Sequence, residues 1–343
     1  MERTGGGGWP GVPGGSRRWL AALLVAGTVA CGSSPEAGGN PADRYLGEVL
    51  TLIKQNQIRR SEIDWPAYER QVRAAAAGAT GLADLDPALQ LAMDLLGDRH
   101  SAICRGGGTC HYQAVQGLGG WSGWLDPGAL PAGVAYVRVE RNSGSPLSTR
   151  QLADQLQAAV QAQDRDGLVG WIVDLRQNGG GNMWPMLAGI GPVLGDGPAG
   201  SFLFPEGVPT AYLAPGATLT WSYSGGAACF AGQPKSSATV PYTLRAPAPR
   251  VAVLQDGGTG SSGEAIAISF IGRPDTRSFG AATFGVSNVN WSFPLSDGGE
   301  LHLLVGLDRD RNGTTYGGSV VPDEPTAGPA EAVAAAVAWL TGP

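Results

Sequence analysis

Two short apolar runs constrain this chain more than any other feature. Val169–Leu175 and Arg250–Leu254 each end in a cluster of glycines, and a helix-like segment follows each cluster. An unbroken apolar run of this length reads as a strand buried on both faces. Glycines let the chain turn sharply and let backbones approach closely. A strand–glycine–helix unit used twice implies a parallel sheet flanked by helices. Further strands are expected at Val134–Val139 and Leu301–Val305, and helices at Ser148–Gln163, Met183–Leu194, Ser261–Ile271 and Ala330–Leu340. The second part of the chain therefore reads as an α/β core. Ahead of it, Pro41 to about Asp98 reads as three helices. The first carries Leu46, Val49, Leu50 and Ile53, the second Tyr68, Val72 and Ala76, and the third a leucine-rich stretch from Leu85 to Leu96.

The glycine clusters also hold most of the candidate chemistry. In Asp174-Leu-Arg-Gln-Asn-Gly-Gly-Gly181 a buried strand ends beside Asp174 and Arg176, and three glycines open a helix whose N-terminus favours an anion. No Gly-Lys-Ser/Thr follows, which excludes a Walker loop. In Thr259-Gly-Ser-Ser-Gly-Glu264, Gly258, Gly260 and Gly263 copy a dinucleotide fingerprint. Glu264 would stand where a pyrophosphate should lie, and no acidic residue ends a strand about 20 positions on. A serine at the start of the helix is the better reading, although Ser261 lacks the Gly-x-Ser-x-Gly elbow. Bases are scarce. Lys occurs only at Lys54 and Lys235, and His only at His100, His111 and His302. His111 and His302 read as structural or solvated. Asp308-Arg-Asp-Arg-Asn-Gly313 begins like a calcium loop but has Ser319 at the twelfth position, so it reads as a polar turn.

The N-terminus reads as an address. Arg17 and Arg18 precede a twelve-residue apolar run, Trp19–Ala30, which is too short to span a bilayer as a helix. Residues 1–31 are expected to be a signal peptide. Cys31 looks like the lipid-attachment cysteine of bacterial lipoproteins; the alternative is ordinary cleavage after Ala30, which leaves Cys31 a thiol. Residues 32–40 form a flexible tether. Export leads to an oxidising compartment. There the five residues between Cys104 and Cys110 are flexible enough to close a disulfide loop, leaving Cys229 over. Cys and His are too few and too scattered for a zinc site. A net charge of −6 argues against nucleic-acid binding.

Taken together, the motifs resemble the C-terminal processing, or tail-specific, serine protease family. Asp-Leu-Arg-x-Asn-x-Gly-Gly fits Asp174–Gly181, and Thr-x-Ser-x-x-Glu fits Thr259, Ser261 and Glu264. Gly-x-x-Thr-x-Gly fits Gly280, Thr283 and Gly285, a late Pro-Asp fits Pro322-Asp323, and Asp-x-His-Ser fits Asp98–Ser101. Members with a Ser–Lys dyad carry Lys directly after Gly-x-x-Thr-x-Gly; here that residue is Val286. The chain is more similar to the Ser–His, nisin-resistance branch, with Ser296-Asp-Gly-Gly-Glu-Leu and Asp308-Arg-x-Arg-x-Gly as further matches. About 15 residues between Ser101 and Gly117 leave no room for the PDZ module of many relatives. Tricorn-like members place Ser before the His; here it is Arg99, so the group orienting His100 stays open.

The resemblance implies a ClpP/crotonase-like catalytic core at 117–343 and an N-terminal helical subdomain at 41–105. It implies an exported serine peptidase acting on peptides or unfolded protein tails, without a cofactor or metal. Ser261 would be the nucleophile and His100 the general base. The backbone N–H groups of Gly180 and Ser262 would form the oxyanion hole, with Glu264, Asp174 and Arg176 bracing the glycine turns. The rival reading is a catalytically inactive peptide- or lipid-binding module of the same fold. A membrane surface enters as a partner through Cys31.

Overall fold

The structure, a computed structural model, describes residues 40–113, 126–142, 149–207 and 214–343. The signal-like segment with Cys31, and the tether up to residue 39, lie outside the described residues.

Asn40 opens the described chain as a helix cap. Its Oδ1 accepts the Asp43 N–H at 2.9 Å, and Pro41 starts helix α1 (Pro41–Asn56). Leu46, Val49, Leu50 and Ile53 form its buried stripe. Helix α2 (Trp65–Ala75) is capped by Asp64, and a 3₁₀ turn at Leu82–Leu85 leads into α3 (Asp86–Leu96). Gly97, at φ +63°, ends α3 in the left-handed conformation that glycine adopts without strain. The leucines of α3 divide by face, with Leu89, Met93 and Leu96 buried and Leu95 exposed. The last residues of the 41–105 segment are not helical. Ala102–Cys104 is strand β1, and it pairs with β2 (Cys110–Tyr112) so that Cys104 faces Cys110. The two cysteines are bonded.

The second part builds a five-stranded, wholly parallel sheet. Strand β3 is Val134–Arg138 and β4 is Gly170–Asp174, joined through helix α4 (Thr149–Gln163). Helix α5 (Met183–Leu194) follows the first glycine cluster. Strands β5 (Gly197–Phe204), β6 (Ala217–Ser224), β7 (Ala227–Phe230) and β8 (Gln233–Ser237) then leave this sheet. The chain returns with β9 (Val251–Gln255), helix α6 (Ser262–Phe270) and β10 (Thr276–Gly280). Strands β11 (Asn288–Pro294) and β12 (Glu300–Arg309), the short β13 (Glu324–Pro325) and helix α7 (Pro329–Thr341) complete the described chain.

Alternation along the parallel strands sorts two cores. Ile172, Ala252, Leu254 and Phe279 meet Ala332, Val333, Ala336 and Leu340 of α7. Their neighbours Trp171, Val173, Val251 and Val253 face the larger core, which also takes in Leu46, Ile53, Leu89 and Met93 of the N-terminal helices. Burying each such side chain contributes roughly 1.5–3 kcal/mol. The sequence reading did not anticipate the second sheet. It has eight antiparallel strands, ordered β2-β1-β12-β5-β6-β7-β8 with β11 also on β12. Strand β12 joins both halves of the site, because it pairs with β1 just after His100 and with β11 just after the loop at 281–287.

Candidate active site

The two glycine turns lie against each other at the C-terminal ends of β4 and β9, where ligand sites of parallel sheets form. Gly180 has φ +97°, and a Cβ there would stand 2.8 Å from the Gly260 oxygen and 2.9 Å from the Ser261 Cβ. A Cβ at Gly263 would meet the Asn178 oxygen at 2.2 Å. Of the glycines that copy a dinucleotide fingerprint, Gly263 is therefore needed for backbone-to-backbone approach, while a Cβ at Gly258 would meet the Gln177 side chain and one at Gly260 the Phe284 side chain. Gly260 N–H donates to the Asn178 oxygen at 2.9 Å, and Gly263 N–H closes a tight turn onto the Gly260 oxygen at 2.8 Å. Ser261, at the first inner position of that turn, has φ +51° and ψ −120°. A non-glycine residue held there stores on the order of 1–3 kcal/mol of strain.

Glu264 holds that strained turn. Fully buried, it accepts four hydrogen bonds: Ser261 N–H at 2.9 Å, Val286 N–H at 2.9 Å, Gly285 N–H at 2.8 Å and the Thr283 hydroxyl at 2.5 Å. Burial pushes its carboxyl above the ordinary range, against the pull of those bonds. The Gly-x-x-Thr-x-Gly motif thus serves as the seat for Glu264.

His100 arrives from the other side. The Asp98 carboxylate accepts the N–H groups of His100 (3.1 Å) and Ser101 (2.8 Å) and the Ser101 hydroxyl (2.6 Å), making a compact bend. Arg99 takes a left-handed φ of +57° within it. The Ser101 hydroxyl accepts Leu304 N–H at 3.0 Å, and the Asn290 amide donates to the His100 carbonyl at 2.6 Å. The bend is so fixed to β11 and β12. The result places His100 Nε2 3.0 Å from Ser261 Oγ. The other ring nitrogen, Nδ1, bonds Asn288 Oδ1. An amide oxygen accepts only, so this contact puts the proton on Nδ1 and leaves Nε2 free to accept the serine hydroxyl. Enclosure of the ring lowers the His100 pKa. The Asn288 bond and the Asp98 charge oppose that, and His302 adds to it.

Asn288 answers the question that Arg99 left open. Sequence reasoning missed it, and its only signal is its place three residues after Gly285. Arg99 itself turns away and donates to the Gly285 carbonyl at 3.3 Å.

Two expectations need correction. The N–H of Gly180 is already used, donating to Asn178 Oδ1 at 3.0 Å. The glycine that lines the cavity at Ser261 is Gly181, whose carbonyl accepts the Ser262 hydroxyl. Asp174 and Arg176 do pair, at 2.6 Å and wholly buried, but they brace a different place. Asp174 also accepts the Tyr136 hydroxyl at 2.7 Å, and Arg176 reaches the Pro329 carbonyl at 3.2 Å, tying β4 to β3 and α7. The glycine turns are stapled instead by Asp256, which accepts Gln177 N–H at 2.9 Å and Gly258 N–H at 2.9 Å. The Thr259 hydroxyl adds a bond to the Leu175 carbonyl at 2.8 Å.

The other histidines stand apart from Ser261. His111 is buried against Asp86 at 3.1 Å, and His302 pairs with Ser292 at 2.8 Å on the sheet surface. Among the described residues no cluster of His, Cys, Asp or Glu could hold a metal ion. Asp310 makes the polar turn read from the sequence, accepting the N–H groups of Asn312 and Thr314, each at 2.9 Å. Asp308 does not join it, since β12 carries this residue into the core.

The cavity over Ser261 measures about 320 Å³; Trp184, Phe202 and Ala265 form apolar wall, and His100, Asn182 and Asn290 polar wall. A hydroxyl bonded to an imidazole in such a cavity is suited to attack on a carbonyl.

Residues 133–326 match the Peptidase family S41. The chain is 24% identical over 298 residues to the nisin-resistance protein of Lactococcus lactis subsp. lactis, covering 87% of this chain and 86% of that protein. Among solved structures it is similar to a lipoprotein from Streptococcus agalactiae, with a TM-score of 0.65, 21% identity, and coverage of 87% of this chain and 96% of that one. It is also similar to the photosystem II D1 C-terminal processing protease, with a TM-score of 0.51, 15% identity, and coverage of 84% and 94%. These structures share the fold that the motifs implied, an α/β protease core of the C-terminal processing kind. The family match spans more than half of the chain, and the protein belongs to peptidase family S41 as a serine-type peptidase.

Proposed function

We propose that the protein hydrolyses peptide bonds in peptides or unfolded protein tails with Ser261 as nucleophile and His100 as general base. One observation carries this reading: Nε2 of His100 lies 3.0 Å from Ser261 Oγ while Asn288 holds the far side of the ring. Ser261 Oγ attacks the peptide carbonyl carbon as its proton passes to Nε2. The imidazolium then returns that proton to the leaving amine, and water repeats the sequence on the acyl-enzyme. We assign the oxyanion hole to the N–H groups of Gly181 and Ser262, both residues that line the cavity. Asn288 is a positioning residue, and Glu264 fixes the turn that presents the hydroxyl.

The protein is further proposed to be exported and held at a membrane surface through Cys31. The N-terminal sequence supports this, as does the naming of the similar Streptococcus agalactiae protein as a lipoprotein. The naming of the D1 protein's processing enzyme supports tails as substrates.

A fluorophosphonate probe tests the chemistry. Peptide mapping should find the label on Ser261, and Ser261→Ala should neither label nor cleave an unfolded-protein mixture. A wild-type protein that takes no label and cuts nothing would instead be the binding module of this fold.

A further inference from the structure

Asp308 is the group in the cavity that the proposed mechanism does not use. It sits near the end of β12 and is 1% exposed, yet it lines the same cavity as Ser261 and His100. Among the described residues its Oδ1 has no hydrogen-bond partner. Buried carboxylates in folded proteins are normally paired, because an unpaired one loses several kcal/mol of hydration. No Arg or Lys lines this cavity to compensate it.

We propose that Asp308 is a specificity residue that receives a basic substrate side chain, Lys or Arg, next to the scissile bond. The inference rests on the peptidase reading above. Two features favour a cation over a neutral group. The group without a partner is a carboxyl, and a carboxylate binds an ammonium or guanidinium more strongly than it binds a neutral donor. The cavity also presents two aromatic rings, Trp184 and Phe202, set edge-to-face 6.5 Å apart. Such rings take the aliphatic stem of Lys or Arg and attract its charged head. Burial, and the Glu264 charge beside it, push the Asp308 carboxyl well above the ordinary carboxylate range, a shift that a bound cation would offset. An arriving cation supplies the counter-charge that the cavity lining lacks.

The test uses a randomised peptide pool in which lysine and its uncharged analogue norleucine are equally frequent at every position. Cut sites are mapped by mass spectrometry for the wild type and for Asp308→Asn, whose folding is checked by thermal melting. The wild type should enrich lysine over norleucine at least tenfold at one position beside the cut. In Asp308→Asn that ratio should fall to near one. A wild type with no basic preference at any position overturns the proposal without needing the variant; so does a folded variant that keeps the preference. Fluorophosphonate labelling of the same samples separates the two levels. A labelled Ser261 with no basic preference sinks this inference alone, whereas no label and no cutting sinks the peptidase reading and this inference with it.

Discussion

Ser261 carries two demands that conflict. Its hydroxyl must face His100, yet its backbone stands at φ +51° and ψ −120°, a conformation suited to glycine. Ser261→Gly should therefore abolish cleavage and raise stability by about 1 kcal/mol. Ser261→Ala should abolish cleavage with stability changed by less than about 1 kcal/mol. Thermal melts of the two variants make the comparison, and a glycine variant less stable than the alanine one would show that the turn is not strained. His100 makes the pH dependence specific. Enclosure lowers its pKa, so the neutral, base-competent ring persists below the ordinary imidazole value of about 6.5. Activity should hold steady as pH falls to that value and be lost only below it. Asn288→Asp would place a carboxylate at Nδ1, raise the imidazole pKa and move this acid limb upward, whereas Asn288→Ala should lower kcat about a hundredfold through misorientation. A limb that stays in place in Asn288→Asp means that Asn288 does not hold the ring.

At the scale of elements, the motifs were legible and their partners were not. Val169–Leu175 and Arg250–Leu254 read as strands because both faces of β4 and β9 are buried, and such strands appear as unbroken apolar runs. Of the antiparallel sheet only β12 was marked, by the run Leu301–Val305. Strand β5 reads Gly-Pro-Ala-Gly-Ser-Phe-Leu-Phe, and β8 reads Gln-Pro-Lys-Ser-Ser with three exposed residues. Their pairing is set by neighbours across the sheet rather than by their own pattern. Asn288 and Asp308 were missed for the same reason, since only the pairing of β11, β12 and β5 brings them to the cavity over Ser261. Glu264, by contrast, was legible as a motif residue, and its geometry predicts an outcome. Glu264→Gln swaps one acceptor oxygen for an NH₂ facing two donors. Stability should fall by about 2–3 kcal/mol, and kcat should fall with it as the Ser261 turn relaxes. Chemical denaturation measures the first and peptide turnover the second. An unchanged midpoint would show that the carboxylate is not the clasp joining the Ser261 turn to the 283–286 loop.

For the whole molecule, the compartment and the fold meet at the β1–β2 hairpin. Cys104 and Cys110 are bonded across it, and β1 begins two residues after His100. Asp86 at the start of α3 pairs with Arg105 at 2.9 Å and His111 at 3.1 Å, so the hairpin also anchors the N-terminal helices. Closing so short a loop is worth about 2 kcal/mol in the chain-entropy account. A cell envelope oxidises thiols and a cytoplasm keeps them reduced. The proposed export thus has a signature independent of activity. Protein recovered from its native host should carry the Cys104–Cys110 bond and a free Cys229. Its first residue should be Cys31, heavier by the mass of its acyl chains, because stable anchoring takes two or more chains at about 0.8 kcal/mol per buried CH₂. Intact-mass and peptide mass spectrometry of that one sample read all three features. Reduced Cys104 and Cys110 in a chain that still begins at Met1 would place the enzyme inside the cell. A bonded pair behind an unmodified Cys31 would keep export and remove the anchor, and Cys31→Ser would then leave the protein's location unchanged.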